Sequence, residues 1–515
     1  MYYGVHMIDS LKKRFLFKLS ANFVGLLIGL TTQAIIPRGL GPKAYGDFSF
    51  LTDFFSKVFN FLDMSSSTCF YNKLSQRPND SQLVSFYFCY SALISVIVVL
   101  FVMGTHLSRS YGLIWPGQDL SYVYLAVILA IFTLFSRVFN MLADAYGITV
   151  ALEKIRMSQK ILGLIILLLL YLFHQLQLTQ FFFYSQFLLV FFIFALIWVI
   201  RGKGYFSRQN LFLSRQHIKN YGKEFYKYSY PLFFGALVGN AATILDRWFL
   251  QVFSGSEQQG FYGFACLIAM VFGIFTDAMY PLIAREFAIN FIKKDLTQMA
   301  SVFRRYIPFF YSIAAFFSCF IVFQAGNVIS IMGGEQFKNA KMALIIMAFY
   351  PIHQAYGQLS GSLLLATDQT VLVSKISIFV YVIGIPLTYF LIAPQDRMGL
   401  NFGATGLAIK MIVLQAVGVN IGLYFNAKFL GLNFWKYVGH QVVIVGCFLL
   451  LAALSSFGVD YLFSLNGRFI VNFVSAGIIY SLLVLSMVCM FPRIVGLQGS
   501  DLKLIIDKVK QTIAS

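Results

Sequence analysis

The sequence predicts an all-α integral membrane protein with about fourteen transmembrane helices. Its composition is the first observation behind this prediction. Of the 515 residues, 59% are apolar and only 11% are charged, whereas an average soluble domain has about 25% charged residues. So few polar groups cannot cover a water-exposed surface. A surface that faces lipid does not need them.

Apolar runs of membrane-spanning length recur along the whole chain. The hydrocarbon core of a bilayer is about 30 Å thick and is crossed by about 20 residues of helix. The predicted spans are residues 18–36, 47–64, 82–104, 120–144, 158–175, 180–200, 229–251, 260–284, 306–332, 342–366, 371–393, 404–427, 436–457 and 468–491. The second run is the weakest by hydropathy, because Asp53, Lys57 and Asp63 lie within it.

The distribution of Lys and Arg supports this number of spans independently. If the N-terminus is inside and the spans alternate, the inside segments hold about four times as many Lys and Arg as the outside loops, as cytoplasmic loops do. Both termini are therefore predicted to be cytoplasmic. The net charge of +19 is then explained by membrane topology, and nucleic acid is not predicted as a partner.

The sequence contains no pattern that indicates an enzyme or a bound cofactor. The cysteines are scattered and form no C-x-x-C pair, so neither a metal site nor a disulfide framework is predicted. No phosphate-binding loop of the G-x-x-x-x-G-K-[ST] kind is present, which excludes ATP hydrolysis by that route. We therefore predict a transporter without a cofactor.

The first two spans repeat in the seventh and eighth. One constant shift along the chain aligns Gly25 with Gly239, Gly41 with Gly255, Gly46 with Gly260, Phe50 with Phe264, and Asp63 with Asp277. The repeating unit would contain six spans, which is an even number. The two halves are therefore predicted to be parallel repeats, related by an axis along the membrane normal.

This repeat gives a domain organisation. The predicted parts are an N-lobe (1–200, spans 1–6), a basic cytoplasmic segment (201–228), a C-lobe (229–427, spans 7–12), spans 13 and 14 (428–491) and a cytoplasmic amphipathic tail (492–515). In the basic segment, Arg215, Lys219, Lys223 and Lys227 recur every four residues. An interfacial helix on anionic lipid and a solvated linker both agree with that pattern.

Several short segments resemble a known family in their order and spacing. They are residues 38–48 (RGLGPKAYGDF), 230–231 (YP), 246–247 (DR), 260–265 (GFYGFA), 280–285 (YPLIAR), 334–338 (GEQFK) and 403–408 (GATGLA). Together they resemble the polysaccharide-type lipid flippases of the multidrug/oligosaccharidyl-lipid/polysaccharide exporter superfamily. The resemblance extends over most of the chain.

The resemblance implies a fold, a substrate and a location. The fold would be two six-helix lobes around a central, cation-lined cavity that opens alternately to either side. The substrate would be an undecaprenyl-diphosphate-linked oligosaccharide, a repeat unit of O-antigen, capsule or exopolysaccharide. It would move from the inner to the outer leaflet of a bacterial plasma membrane. Membrane lipids, a polysaccharide polymerase and the chain-length machinery are the implied partners.

Four cations within the spans are candidates for binding the substrate: Arg137, Lys410, Lys57 and Arg247. Charges within a span are costly and usually face an aqueous cavity or each other. Neither Arg137 nor Lys410 has an acid within four residues along the chain, which favours a cavity that receives a diphosphate. Lys57 can pair with Asp53 one turn away, and Arg247 can reach the membrane surface.

The remaining charges are candidates for a gate or for ion coupling: Asp53, Asp63, Asp246, Asp277 and Arg285. Asp63 and Asp277 lie at matching inner ends of spans 2 and 8. They could close a gate against a basic loop residue such as Arg285. Solvation of the helix ends is the alternative.

Two other functions agree with a polytopic membrane protein. A proton- or sodium-coupled multidrug or metabolite antiporter of the same superfamily would favour an acidic cavity. A membrane enzyme that polymerises or transfers glycans would need a sizeable outside loop for its catalytic groups. The longest predicted outside loop is only residues 105–119, so a transporter is the favoured class.

Overall fold

The structure, a computed structural model, describes residues 11–78, 80–202, 213–271, 273–463 and 469–497. Within these ranges the chain is all-α, which confirms the predicted fold class. The helices are α1 (Leu11–Asp63), α2 (Ser66–Gln76), α3 (Ser81–Leu107), α4 (Tyr111–Ile114), α5 (Leu120–Ala145), α6 (Thr149–Leu172), α7 (Leu178–Gly202), α8 (Arg215–Val271), α9 (Ile274–Ile292), α10 (Leu296–Met332), α11 (Lys341–Met347), α12 (Tyr350–Ala366), α13 (Thr370–Ile392), α14 (Gly403–Phe429), α15 (Phe434–Phe463) and α16 (Phe469–Met490).

Many of these helices are long and apolar enough to cross a membrane. In the described part of the chain, nine have this character: α3, α5, α6, α7, α10, α13, α14, α15 and α16. The protein is therefore a multi-pass membrane protein. The other five predicted spans fall on α1, α8, α9, α11 and α12, and the total of about fourteen stays a prediction.

Two long helices bend at glycines that the repeat had aligned. Gly41 in α1 has φ 73° and ψ 169°, and Gly255 in α8 has φ 78° and ψ −177°. This backbone conformation is open almost only to glycine, because it brings a Cβ atom into collision with the backbone. Each glycine separates two predicted spans, so the two aligned positions share a conformation as well as a residue type.

Next to these bends, α1 and α8 approach each other closely at two equivalent points. A methyl group at Gly46 would overlap the backbone oxygen of Ser256, and one at Gly260 would overlap the backbone oxygen of Pro42. The constant shift that aligns Gly46 with Gly260 also aligns Pro42 with Ser256. The contact therefore has a local two-fold relation, which supports the predicted repeat of these segments.

The chain divides into two compact units, residues 1–260 and 261–515. In the first, α1 packs against α5 and α6, and α5 packs against α7. In the second, α12 packs against α9, α10 and α14, and α14 also packs against α13. The first unit includes the predicted span 7. The lobe boundaries at 200 and 229 stay a prediction, and most of the predicted tail 492–515 lies outside the described residues.

Residues 215–228 of the basic segment form the first turns of α8. This helix runs without a break from Arg215 to the bend at Gly255, a length of about 60 Å and roughly twice the thickness of the hydrocarbon core. Its first turns therefore extend beyond the membrane. Tyr221 and Phe225 are buried there in a core that includes Leu83 and Tyr87 of α3, so protein covers that face of the helix.

Candidate functional site

Lys410 lies in a cavity inside the C-terminal unit. Helices α12, α13 and α14 enclose about 350 Å³, and Lys410 on α14 is only 4% exposed. The polar side chains of the lining are Tyr350, Gln354, Ser360, Ser377, Tyr381 and Gln415. The amide of Gln415 donates to the amide oxygen of Gln354 at 2.6 Å. The rest of the lining is aliphatic or glycine, and Lys410 is the only charged residue among the described lining residues. The cavity is therefore largely apolar, with one cation and a few polar groups.

Small residues make the space for this cavity. Gly357 and Gly361 on α12 face it together with Gly418 and Gly422 on α14. In each helix the two glycines are four residues apart and therefore lie on one face. A methyl group at Gly384 of α13 would come within 3.1 Å of Lys410 Cε. The lysine stem thus packs directly on the α13 backbone, and the glycine spacing was the sequence signal for this surface.

Arg137 forms a hydrogen bond that connects two helices of the N-terminal unit. Its Nη1 donates to Oδ1 of Asn60 at 2.7 Å, and the pair is half-buried. Arg137 is on α5 and Asn60 is on α1, one turn beyond Lys57, whose side chain is also half-buried. Sequence reasoning had missed Asn60, because an amide within a span carries no charge to draw attention to it.

Arg247 forms three contacts with α1 and α8. Its Nη1 donates to Gln259 at 2.8 Å and its Nη2 to Ser49 at 3.3 Å. Its Nε lies 3.6 Å from the carboxylate of Asp53. Asp53 is therefore paired with a distant arginine rather than with Lys57 on its own helix. These contacts give Arg247 a structural role in joining α8 to α1.

A polar cluster lies beside the close packing of Gly46 and Gly260 described above. The amide of Gln118 donates to Asp47 at 2.6 Å and to Ser256 at 3.2 Å. The amide of Gln251 donates to the same hydroxyl of Ser256 at 3.0 Å. Hydrogen bonds and close backbone packing therefore hold this end of α8 against α1 and the segment before α5.

The aligned acids Asp63 and Asp277 have different surroundings. Asp63 is buried and accepts hydrogen bonds from the backbone and hydroxyl of Ser67 and from the hydroxyl of Tyr87. Asp277 is exposed and accepts from the amide of Gln358 at 3.0 Å. Asp63 thus fixes the start of α2, whereas the carboxylate of Asp277 remains exposed.

The last two candidates differ in exposure. Asp246 is 5% exposed, whereas Arg285 is exposed on α9. Within the described part of the second unit, Arg285 forms no ion pair with Asp277. The gate stays a prediction.

The long apolar helices and their glycine bends define a polytopic membrane fold that occurs in other proteins of known structure. The fold is similar to that of "Lipid II flippase MurJ, inward closed conformation", with a TM-score of 0.65, 15% identity, and coverage of 92% of this chain and 99% of that chain. It is also similar to an inward-facing multidrug resistance transporter of the MATE family (TM-score 0.60, 14% identity, 79% and 94% coverage). A MOP superfamily transporter from Pyrococcus furiosus is similar too (TM-score 0.52, 14% identity, 82% and 95% coverage).

The family follows from the sequence itself. The model of the polysaccharide biosynthesis protein family matches residues 11–287, which is more than half of the chain. The chain therefore belongs to the polysaccharide biosynthesis protein family. None of the curated proteins compared with it matches its sequence. The resemblance predicted from the short motifs is confirmed, and the fold is similar to those of solved transporters and a solved flippase.

Proposed function

We propose that the protein is a flippase for an undecaprenyl-diphosphate-linked oligosaccharide. It moves this lipid from the inner to the outer leaflet of a bacterial plasma membrane by alternating access, with both protein termini in the cytoplasm. The product then serves a polysaccharide polymerase and its chain-length machinery. The observation that carries this proposal is the buried Lys410 in a cavity whose largely apolar walls also present several hydroxyl and amide groups.

The chemistry of that cavity suits a glycosylated anion. A cation within a membrane span costs at least about 2.5 kcal/mol on insertion scales, and a bound phosphate recovers part of this cost through a charge-assisted hydrogen bond. Serine, tyrosine and glutamine side chains both donate and accept hydrogen bonds. They therefore match sugar hydroxyls, which do the same.

The same cavity argues against a multidrug antiporter that binds cations. Such an antiporter attracts its substrate or coupling ion with carboxylates, and the described lining of this cavity contains none. Lys410 would repel a second cation. Exporting an anion also agrees with the membrane potential, because each negative charge leaving an inside-negative cell releases about 2.3 kcal/mol per 100 mV.

Substitution of Lys410 tests the proposal. We expect Lys410→Ala to slow flipping about tenfold or more, because the site loses its only charge. Lys410→Arg should recover part of the rate, since it keeps the charge and changes the geometry. The measurement is the flipping of a fluorescent lipid-linked oligosaccharide in proteoliposomes, read from its protection against dithionite.

The matched control is Lys375→Ala, which removes an exposed lysine of α13 in the same unit and should leave the rate unchanged. Flipping at the wild-type rate by a normally inserted Lys410→Ala protein would contradict the assignment of the site. A wild-type protein that exports ethidium and flips no lipid-linked oligosaccharide would establish the antiporter instead.

A further inference from the structure

A second cavity lies in the N-terminal unit, where the first turns of α8 meet α3 and the end of α1. It has a volume of about 530 Å³. Its aromatic residues are Phe86, Tyr90, Phe225, Tyr226 and Tyr230. Small-molecule sites of 300–1,000 Å³ typically combine such apolar walls with a few fixed polar groups. This pocket lies at the end of α8 that extends beyond the membrane, which is the predicted cytoplasmic end.

The rings form a floor and a rim. Phe225 is 5% exposed and contacts the edge of Phe86 at a centroid distance of 5.3 Å, which closes the floor. Tyr226 and Tyr230 are one turn apart on α8, with centroids 5.5 Å apart, and they are 66% and 55% exposed. The rim therefore presents two neighbouring aromatic rings to a ligand.

One buried hydroxyl group in this pocket has no hydrogen-bond partner among the residues that the structure describes. Ser229 lies between the two tyrosines in the α8 sequence and is 7% exposed. Its Oγ forms no hydrogen bond with any residue in the part of the chain that the structure describes. Leaving a buried polar group unsatisfied costs about 1–3 kcal/mol. A ligand with a hydroxyl group that enters the pocket would remove this cost.

A row of cations runs beside the aromatic rim. Lys219, Lys223 and Lys227 are exposed and recur every four residues on α8. A helix turns by about 100° per residue, so Lys223 and Lys227 lie roughly 60° around the helix from Tyr226 and Tyr230. Among the lining residues that the structure describes, none is a cation. A fitting ligand therefore has an uncharged hydroxylated ring joined to an anionic group that stays outside.

We propose that this pocket is a docking subsite for a sugar of the diphosphate-linked substrate on the cytoplasmic side of the membrane. This inference rests on the proposed function. The apolar face of the sugar ring packs on Tyr226 and Tyr230, and one of its hydroxyl groups bonds with Ser229. The diphosphate lies along the lysine row. The site thus selects lipids that carry a sugar before they are flipped.

Equilibrium binding to two matched lipids tests this subsite. The probes are farnesyl diphosphate and the same lipid with N-acetylglucosamine or galactose on the diphosphate, offered to the protein in phosphatidylcholine nanodiscs. We expect wild-type protein to bind at least one glycosylated probe about tenfold more tightly than the bare diphosphate. The double variant Tyr226→Leu/Tyr230→Leu and the single variant Ser229→Ala should lose this preference. Their affinity for farnesyl diphosphate should change less than twofold.

Controls separate the possible occupants. Tyr71→Leu removes an exposed tyrosine of α2 outside the pocket and should have no effect. Lys223→Ala/Lys227→Ala should weaken both kinds of probe equally. An equal loss for both probes in the tyrosine variant would show that the prenyl chain occupies the pocket. Unchanged affinities in the tyrosine variant, or a wild type without preference for either sugar, would show that the rings only anchor the helix at the membrane interface. All three results would overturn the proposal.

This experiment is independent of transport. Sugar-dependent binding without flipping by the wild type would refute the proposed function and keep the subsite. Flipping that is unaffected by the tyrosine variants, together with binding that ignores the sugar, would refute the subsite and keep the function.

Discussion

At the scale of single residues, charges within the spans have two kinds of surroundings. Arg247 contacts Asp53, Gln259 and Ser49, so protein groups supply its partners. Lys410 faces a cavity whose other described lining groups are uncharged. A charge that joins helices contributes to stability, and a charge that lines a cavity contributes to the electrostatic potential inside it. The two kinds therefore predict different consequences of substitution.

The glycine bends give a prediction about stability. We expect Gly41→Ala and Gly255→Ala each to cost about 1–3 kcal/mol in free energy of unfolding, because alanine is strained in this backbone conformation. A methyl group at Gly255 meets no atom within 4 Å, so the cost there is that of the backbone alone. The measurement is thermal unfolding in detergent, which should show a lowered melting temperature for both variants.

Gly235→Ala is the control for this pair. Gly235 lies in a helical part of α8 and also has space for a methyl group, so alanine should be neutral or stabilising there. Equal melting temperatures for Gly255→Ala and Gly235→Ala would contradict the role of the bend.

At the scale of elements, ion pairs connect α2 to the first turns of α8. Glu224 lies 2.9 Å from Nζ of Lys73 and 2.9 Å from Nη2 of Arg77, and the hydroxyl of Tyr221 donates to Asp80 at 2.7 Å. Burial raises the pKa of Glu224, but hydrogen bonds from Lys73 and Arg77 outweigh it and hold the pKa below its ordinary value of 4.5. These contacts position the α8 turns that line the aromatic pocket at Ser229.

The lowered pKa of Glu224 makes this connection dependent on pH. A carboxylate whose pKa is lowered in the folded state stabilises that state at pH values above its ordinary pKa. This stabilisation is lost as the pH falls through the lowered pKa. We expect Glu224→Gln to speed amide hydrogen exchange in residues 66–76 at pH 7. The difference from wild type should vanish at a pH below the lowered pKa, when Glu224 is itself neutral.

Glu257→Gln, which changes an exposed glutamate beyond the α8 bend, should leave the exchange of residues 66–76 unaltered at both pH values. A difference between Glu224→Gln and wild type that persists at the low pH would show that the carboxylate charge is not what connects the two helices.

At the scale of the whole molecule, the predicted topology is open to direct measurement. With about fourteen spans and a cytoplasmic N-terminus, residues 214 and 293 are predicted inside and residues 257 and 401 outside. In a cysteine-free background, cysteines at Ser214 and Lys293 should be protected from an impermeant thiol reagent in intact cells, whereas cysteines at Glu257 and Asn401 should be labelled. All four positions are exposed, so burial does not confuse the result. Labelling of the first pair would refute the predicted topology.

The sequence by itself determined the fold class, the repeat and the family. The thickness of the bilayer sets the length of apolar run that is needed to cross it. Local composition therefore predicts the membrane helices without knowledge of their packing. Gly41 and Gly255 could be aligned in the repeat because both positions adopt a rare backbone conformation that requires glycine. The short motifs were sufficient to predict the family because their order and spacing along this chain resemble those of the family.

Only the tertiary structure decided which groups meet. Pairing along one helix predicted Asp53 with Lys57, but Arg247 of α8 contacts Asp53 because α8 packs beside α1. The pattern of the basic segment left open what covers Tyr221 and Phe225, and the structure buries them against α3. The Lys410 cavity and the pocket at Ser229 likewise combine residues from several helices. Contacts between residues far apart in the chain depend on how helices pack, and hydropathy carries no information about that packing.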